Sequence, residues 1–172
     1  MAIRIPTIKP PRPPRPVPPH VQMWPNRPPG EKSRGLVYAE IELINGGDIY
    51  AHRKGYIAEE EIKRKKITAL VDSGAYRLAI NQQLKFELDL PVIEEQVGTL
   101  ADETKIKVEV VGPVEVRFEN RRCTVDAMVL PGDAEVLLGA IPMEDMDVLV
   151  DPKQQKLVVN PAHPYIAQKH LK

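Results

Sequence analysis

An all-β domain of the sandwich or barrel type is what this sequence predicts, on three observations. Between Leu36 and Val159 the chain breaks into about nine short strand-like runs. Turn signals separate them roughly every 8–12 residues, the spacing of a small β-sandwich or barrel. The remaining helical candidates are few and short. A length of 172 residues with 42% apolar content suits one modest domain plus appendages.

The elements follow in order. Val37, Ala39, Ile41 and Leu43 alternate on one face of a strand over residues 36–44, and Asn45-Gly46-Gly47-Asp48 predicts the turn of a first hairpin. The charged stretch His52 to Lys66 reads as an exposed loop, or a short helix around Ala58 to Lys63. Ile67 to Val71 is an apolar strand that stops at Asp72-Ser73-Gly74-Ala75, and Tyr76 to Ile80 resumes as strand. Asn81 can cap a short helix with apolar Leu84, Phe86, Leu88 and Leu90, halted by Pro91.

Three strands are expected over residues 92–100, 104–111 and 114–118, the last two separated by Gly112-Pro113. Cys123 to Leu130 is another, closed by Pro131-Gly132-Asp133. Val136-Leu137-Leu138 then runs into Gly139 and a helical turn begun by Pro142. Val148 to Val150 and Lys156 to Val159 bracket a turn at Asp151-Pro152. The domain is expected over residues 34–160, with a surface tail at 161–172.

Residues 1–33 obey different physics. Eleven of the 18 prolines lie in residues 1–30 with five basic residues and no acidic one, which leaves residues 31–172 at −5 in a chain of net charge zero. Lys9 to Pro19 fixes φ repeatedly and lacks backbone donors, so a polyproline or disordered arm is expected. Pro10 to Arg15 reads P-x-x-P-x-R, a possible ligand for a partner's aromatic groove, but a solvated spacer is the preferred reading. Five spread charges are too few for nucleic-acid binding. Trp24 is the single tryptophan and has no assigned role.

Several classes are disfavoured. No stretch reaches the roughly 18 apolar residues of a membrane span, and Met1 to Pro6 lacks the apolar core of a secretory signal, so a cytoplasmic protein is expected. Cys123 alone allows no internal disulfide and reads as a buried strand thiol. His20, His52, His163 and His170 are too scattered for a metal site or a Ser-His relay. The clusters Glu59-Glu60-Glu61 and Glu144-Asp145-Met146-Asp147 read as solvated faces.

The chemistry-bearing feature is Asp72-Ser73-Gly74-Ala75. A carboxylate directly after an apolar strand needs compensation, and an Asx-type turn with Gly74 in an unusual conformation would supply it. Downstream, Val136-Leu137-Leu138-Gly139 places apolar residues and a glycine at a strand end, with a hairpin around Asp102 between the two motifs.

That order resembles the retropepsin-like aspartic peptidases over about residues 36–160, most closely the small bacterial-type members with a single motif. The resemblance implies a closed β-barrel half with one or two short helices, acting as a homodimer. Each copy lends one catalytic Asp72, and neither metal nor organic cofactor is needed. It implies that Ser73 braces the two loops, that Gly74 allows close backbone approach and that Ala75 stays small beside substrate. Leu137, Leu138 and Gly139 would support the loop. Leu100, Ala101, Asp102, Glu103 and Thr104 would form a flap over a bound peptide or protein substrate.

The sequence also departs from the retroviral pattern. An acidic residue usually follows D-[ST]-G-A and a basic one follows the downstream glycine; here Tyr76 and Ala140 stand there, and the flap tip has no glycine. The implied activity is that of an aspartic endopeptidase. The alternative is a catalytically inactive module of the same fold that dimerises or binds peptide, with Asp72 serving only its turn.

Overall fold

The computed structural model describes residues 35–171. The expectations for the Pro-rich arm and Trp24 lie outside the described residues, which form one compact unit from Leu36 onward.

Among the described residues nine strands and three α-helices run in the order β1 (Val37–Asn45), α1 (Gly46–Arg53), β2 (Arg64–Val71), β3 (Leu78–Asn81), α2 (Gln82–Glu87) and β4 (Val92–Thr99). They continue with β5 (Lys105–Phe118), β6 (Arg121–Leu130), β7 (Leu137–Leu138), α3 (Ala140–Met146), β8 (Val148–Asp151) and β9 (Lys156–Val159). The main sheet has the order β1-β2-β7-β3-β6-β5-β4, and a further β1–β5 pairing closes its first six strands into a ring. The β8–β9 hairpin is a separate sheet.

The alternation expected of β1 holds, since Val37, Ala39, Ile41 and Leu43 are all buried. Inside the ring Ala39, Ile41 and Leu43 meet Leu78, Ile80, Val111, Val114, Val116, Ala127 and Leu138. Each fully buried Leu, Ile or Val contributes about 1.5–3 kcal/mol relative to exposure.

Among the described residues three α-helices decorate the ring where one or two were expected. The extra helix replaces the predicted hairpin turn. Asn45 is extended (φ −64°, ψ 110°) and its side chain accepts from the Asp48 N–H at 3.0 Å, so Asn45 caps α1 instead of starting a tight turn. The Asn45 Nδ2 donates to the carbonyls of Leu88 (2.8 Å) and Asp89 (3.1 Å), and Ile49 packs with Ile44 and Ile62. Those long-range contacts override the local preference of Gly46-Gly47. β1 and β2 still pair antiparallel, Val37 opposite Val71, but their connection is α1 plus a 3-10 turn at Glu59–Glu61.

α2 begins where Asn81 predicts, the Asn81 Oδ1 accepting from Leu84 N–H at 2.9 Å. Leu84, Leu88 and Leu90 are buried, but Phe86 is 84% exposed. Residues two apart lie on opposite sides of a helix, so Phe86 cannot share the face of Leu84 and Leu88.

The expected strands on either side of Gly112-Pro113 are one strand, β5, which changes neighbours there. Residues 105–111 pair with β4, and residues 114–117 pair with β1. A register shift against β6 falls between Val111 and Val114. β4 pairs with β5 only, so β4 stands outside the ring.

Candidate active site

β7 is only two residues long, but it organises the site. It lies between β2, to which it is parallel (Val71 opposite Leu138), and β3, to which it is antiparallel (Ala79 opposite Leu137). β2 and β3 are therefore held apart, and the chain from Asp72 to Arg77 must bridge the end of β7.

Backbone bonds fix that bridge. The Asp72 N–H donates to the Leu138 carbonyl at 3.0 Å, and the Ala75 N–H to the Asp72 carbonyl at 3.1 Å. On the other side, the Ala140 N–H donates to the Ala75 carbonyl (2.8 Å) and the Ile141 N–H to the Tyr76 carbonyl (3.0 Å). Tyr76 and Ala140 are thus each bonded through main chain to the other's neighbour, while the Tyr76 side chain is 79% exposed.

Gly139 has no room for a side chain. A Cβ there would lie 2.4 Å from the Arg77 carbonyl oxygen and 2.8 Å from that of Ala75. Its φ of −87° is open to any residue, so space and not backbone freedom requires glycine.

Asp72 is half-buried, with Ser73 and Gly74 exposed and Ala75 half-buried. Its Oδ1 accepts from the Gly74 N–H at 2.9 Å, the Asx turn expected of this motif. Gly74 is not among the glycines with positive φ, which corrects the expectation of an unusual conformation. A Cβ on Gly74 would instead crowd Asp72 Oδ1 at 3.1 Å.

The hairpin residues Leu100 to Thr104 join β4 to β5. The Leu100 N–H donates to the Thr104 carbonyl (2.8 Å) and the Glu103 N–H to the Leu100 carbonyl (2.9 Å), with Glu103 at φ 69°. This is a three-residue loop whose left-handed position, usually glycine, is occupied by Glu103. Hydrogen bonds from the Thr104 side chain, then its N–H, hold the Asp102 carboxyl below its ordinary range. Among the described residues no hydrogen bond or ion pair joins this loop to residues 72–75.

Cys123 is buried, and burial first, then the negative charge of Asp145, pushes its thiol up to about 12. It is protonated at neutral pH and unsuited to nucleophilic work. No group of three His, Cys, Asp or Glu residues among those described could hold a metal ion. No described helix is long and apolar enough to cross a membrane.

One polar cluster escaped the sequence reading, which took Glu144 to Asp147 as a solvated face. Asp147 ends α3 in the left-handed region (φ 54°, ψ 55°). Its carboxylate accepts from Asn160 Nδ2 (2.9 Å), His163 Nδ1 (2.7 Å) and the Gln168 N–H (3.0 Å). The Gln168 amide first, then Asn160 and His163, hold it down at about 2. Arg121 donates to the His163 carbonyl and Asn120 to that of Pro164. Residues 160–169 are therefore pinned from two sides, a pattern with no local sequence signature beyond Asn and His spaced along a Pro-rich segment.

No curated protein matches the chain significantly. Residues 58–141 match the model of a family described as aspartyl protease, a span that contains Asp72-Ser73-Gly74-Ala75, the β4–β5 hairpin and Leu137-Leu138-Gly139. Over residues 58–141, just under half of the chain, the protein is thus similar to the aspartyl protease family, in the retropepsin-like clan.

Proposed function

We propose that this protein is an aspartic-type endopeptidase that works as a homodimer, with one Asp72 from each copy at a shared centre. The observation that carries the reading is the half-buried Asp72 carboxyl on a loop whose backbone is fixed to β7 and α3. A lone carboxylate does not hydrolyse a peptide, and D-S-G occurs once in the sequence. The second acid must come from a second copy, through an isologous contact.

Two carboxyls a few Å apart cannot both ionise cheaply, so the pair shares one proton. The ionised member takes a proton from a water held between them, and the protonated member polarises the scissile carbonyl. No covalent enzyme intermediate and no metal or organic cofactor enters. Ser73 braces one loop against its twin, Gly74 and Ala75 leave space for substrate, and Leu137, Leu138 and Gly139 keep the loop in place. The peptide lies as an added strand under Leu100, Ala101, Asp102, Glu103 and Thr104. The freedom of β4 from any strand but β5 supports a movable hairpin.

Asp72→Asn in the full chain is the test. Cleavage of a peptide library at acid pH should fall about a thousandfold or more with the thermal transition unchanged, since the change removes the shared proton but little volume. A folded variant that cuts at the wild-type rate excludes this mechanism and leaves the inactive module of the same fold.

A further inference from the structure

Two adjoining cavities open along β6, and Asp72 lines neither. One, of about 320 Å3, is bounded by Arg77, Thr124, Val125, Asp126, Ile141 and Pro142, with Leu78. The other, of about 700 Å3, shares Thr124, Val125 and Ile141 and reaches Glu144, Leu149 and Lys169. Together they form a groove of the size that takes several residues of extended chain.

The groove runs beside an open strand edge. β3 pairs with β6 only from Ala127 to Leu130, while β5 covers the other edge of β6. Among the described residues, Arg121 to Asp126 therefore has no strand partner on the groove side. Backbone donors and acceptors on such an edge are a template for an added strand.

The charge is one-sided. Asp126, Glu144, Asp145 and Asp147 line the groove against Arg77 and Lys169, a net −2 with His170 neutral. Lys169 is already committed to Asp145. Asp126 and Glu144 make no ion pair among the described residues. Ile141 and Leu149, 42% and 46% exposed, add apolar surface between the charges. The pinned segment at Gln168 to His170 gives the groove a fixed wall.

We propose that this groove docks an extended basic segment of a partner protein, added as a strand to the open edge of β6, with its Lys or Arg side chains against Asp126 and Glu144 and its apolar side chains against Ile141 and Leu149. Docking is independent of cleavage, because none of these groups belongs to the Asp72 loop's proposed chemistry. Complementary charge supplies selectivity for basic over acidic segments, and the strand edge supplies the main-chain bonds.

Fluorescence anisotropy on the full chain carrying Asp72→Asn, so that the probe is not cut, tests this. The labelled hexapeptide Lys-Val-Lys-Val-Arg-Val should bind saturably and more weakly at high salt, and Glu-Val-Glu-Val-Glu-Val should not bind. Glu144→Lys should weaken binding about tenfold, and Asp126→Asn about threefold, at unchanged melting temperature. Methylation of alternate peptide nitrogens should cost a similar factor by removing donors to the edge. No binding, equal binding of the acidic peptide, or indifference to Glu144→Lys or to N-methylation would each overturn the proposal. So would self-association through this face that the basic peptide fails to displace.

Discussion

Gly139 shows how one missing side chain makes room for a loop that lies five strands earlier in the chain. Its α-carbon sits where the carbonyls of Ala75 and Arg77 converge, so a methyl group there must push the loop that carries Asp72. Overpacking against backbone cannot be relieved by a rotamer change. Gly139→Ala should therefore lower the stability by about 3 kcal/mol, read as a shift of the urea midpoint at constant slope. An unchanged midpoint would mean that the loop is not braced as described. Asp72 itself is a residue the sequence makes conspicuous, through a carboxylate after an apolar strand and the small residues behind it. The steric reason for Gly139 was not visible there, because Arg77 and Gly139 are distant in the chain and meet only through β7.

Among the elements, the C-terminal segment is the clearest case of structure held by polar groups in place of regular secondary structure. Asp147 collects three donors from residues 160–168. Asn in its place tolerates the left-handed backbone but presents one acceptor and an amide donor toward the His163 ring and the Gln168 N–H. Asp147→Asn should leave the domain folded, while the Gln168 amide exchanges about tenfold faster and trypsin cuts sooner at Lys169. The pH dependence has a definite sign. A carboxyl lowered from 3.8 to about 2 by folding favours the pinned state above pH 4, and that contribution is lost as pH falls toward 2. Segment protection in the wild type should decline across that window, and in Asp147→Asn it should be low and flat. Equal protection in the two proteins at pH 5 would refute the role given to this carboxylate.

For the molecule as a whole, the closed strand ring accounts for a rigid scaffold but supplies a single Asp-Ser-Gly loop. If activity requires a pair of loops, the kinetics must reveal it. Initial cleavage rates should rise with the square of protein concentration below the dimerisation constant and linearly above it, with sedimentation reporting a doubling of mass over the same range. First-order dependence throughout, from a species of single-chain mass, would contradict the paired mechanism. Tyr76 and Ala140 offer no ion pair after the motif, so the proposed pairing of two copies would rest on other contacts.

The alternation of β1, the helix cap at Asn81 and the apolar run into Asp72 were legible in the chain because each depends on neighbours within a few residues. Period, capping and turn chemistry are local properties, and they carried most of the strands and the candidate catalytic loop. The same local logic misread Gly46-Gly47, where a buried Asn45 reaching Leu88 and Asp89 turned an expected hairpin into α1. It could not show β7 wedged between β2 and β3, the open edge of β6, or the pinning of residues 160–169 by Asp147. Those arise from groups tens of residues apart whose partners exist only once the ring has closed, so no window along the chain contains both halves of the interaction.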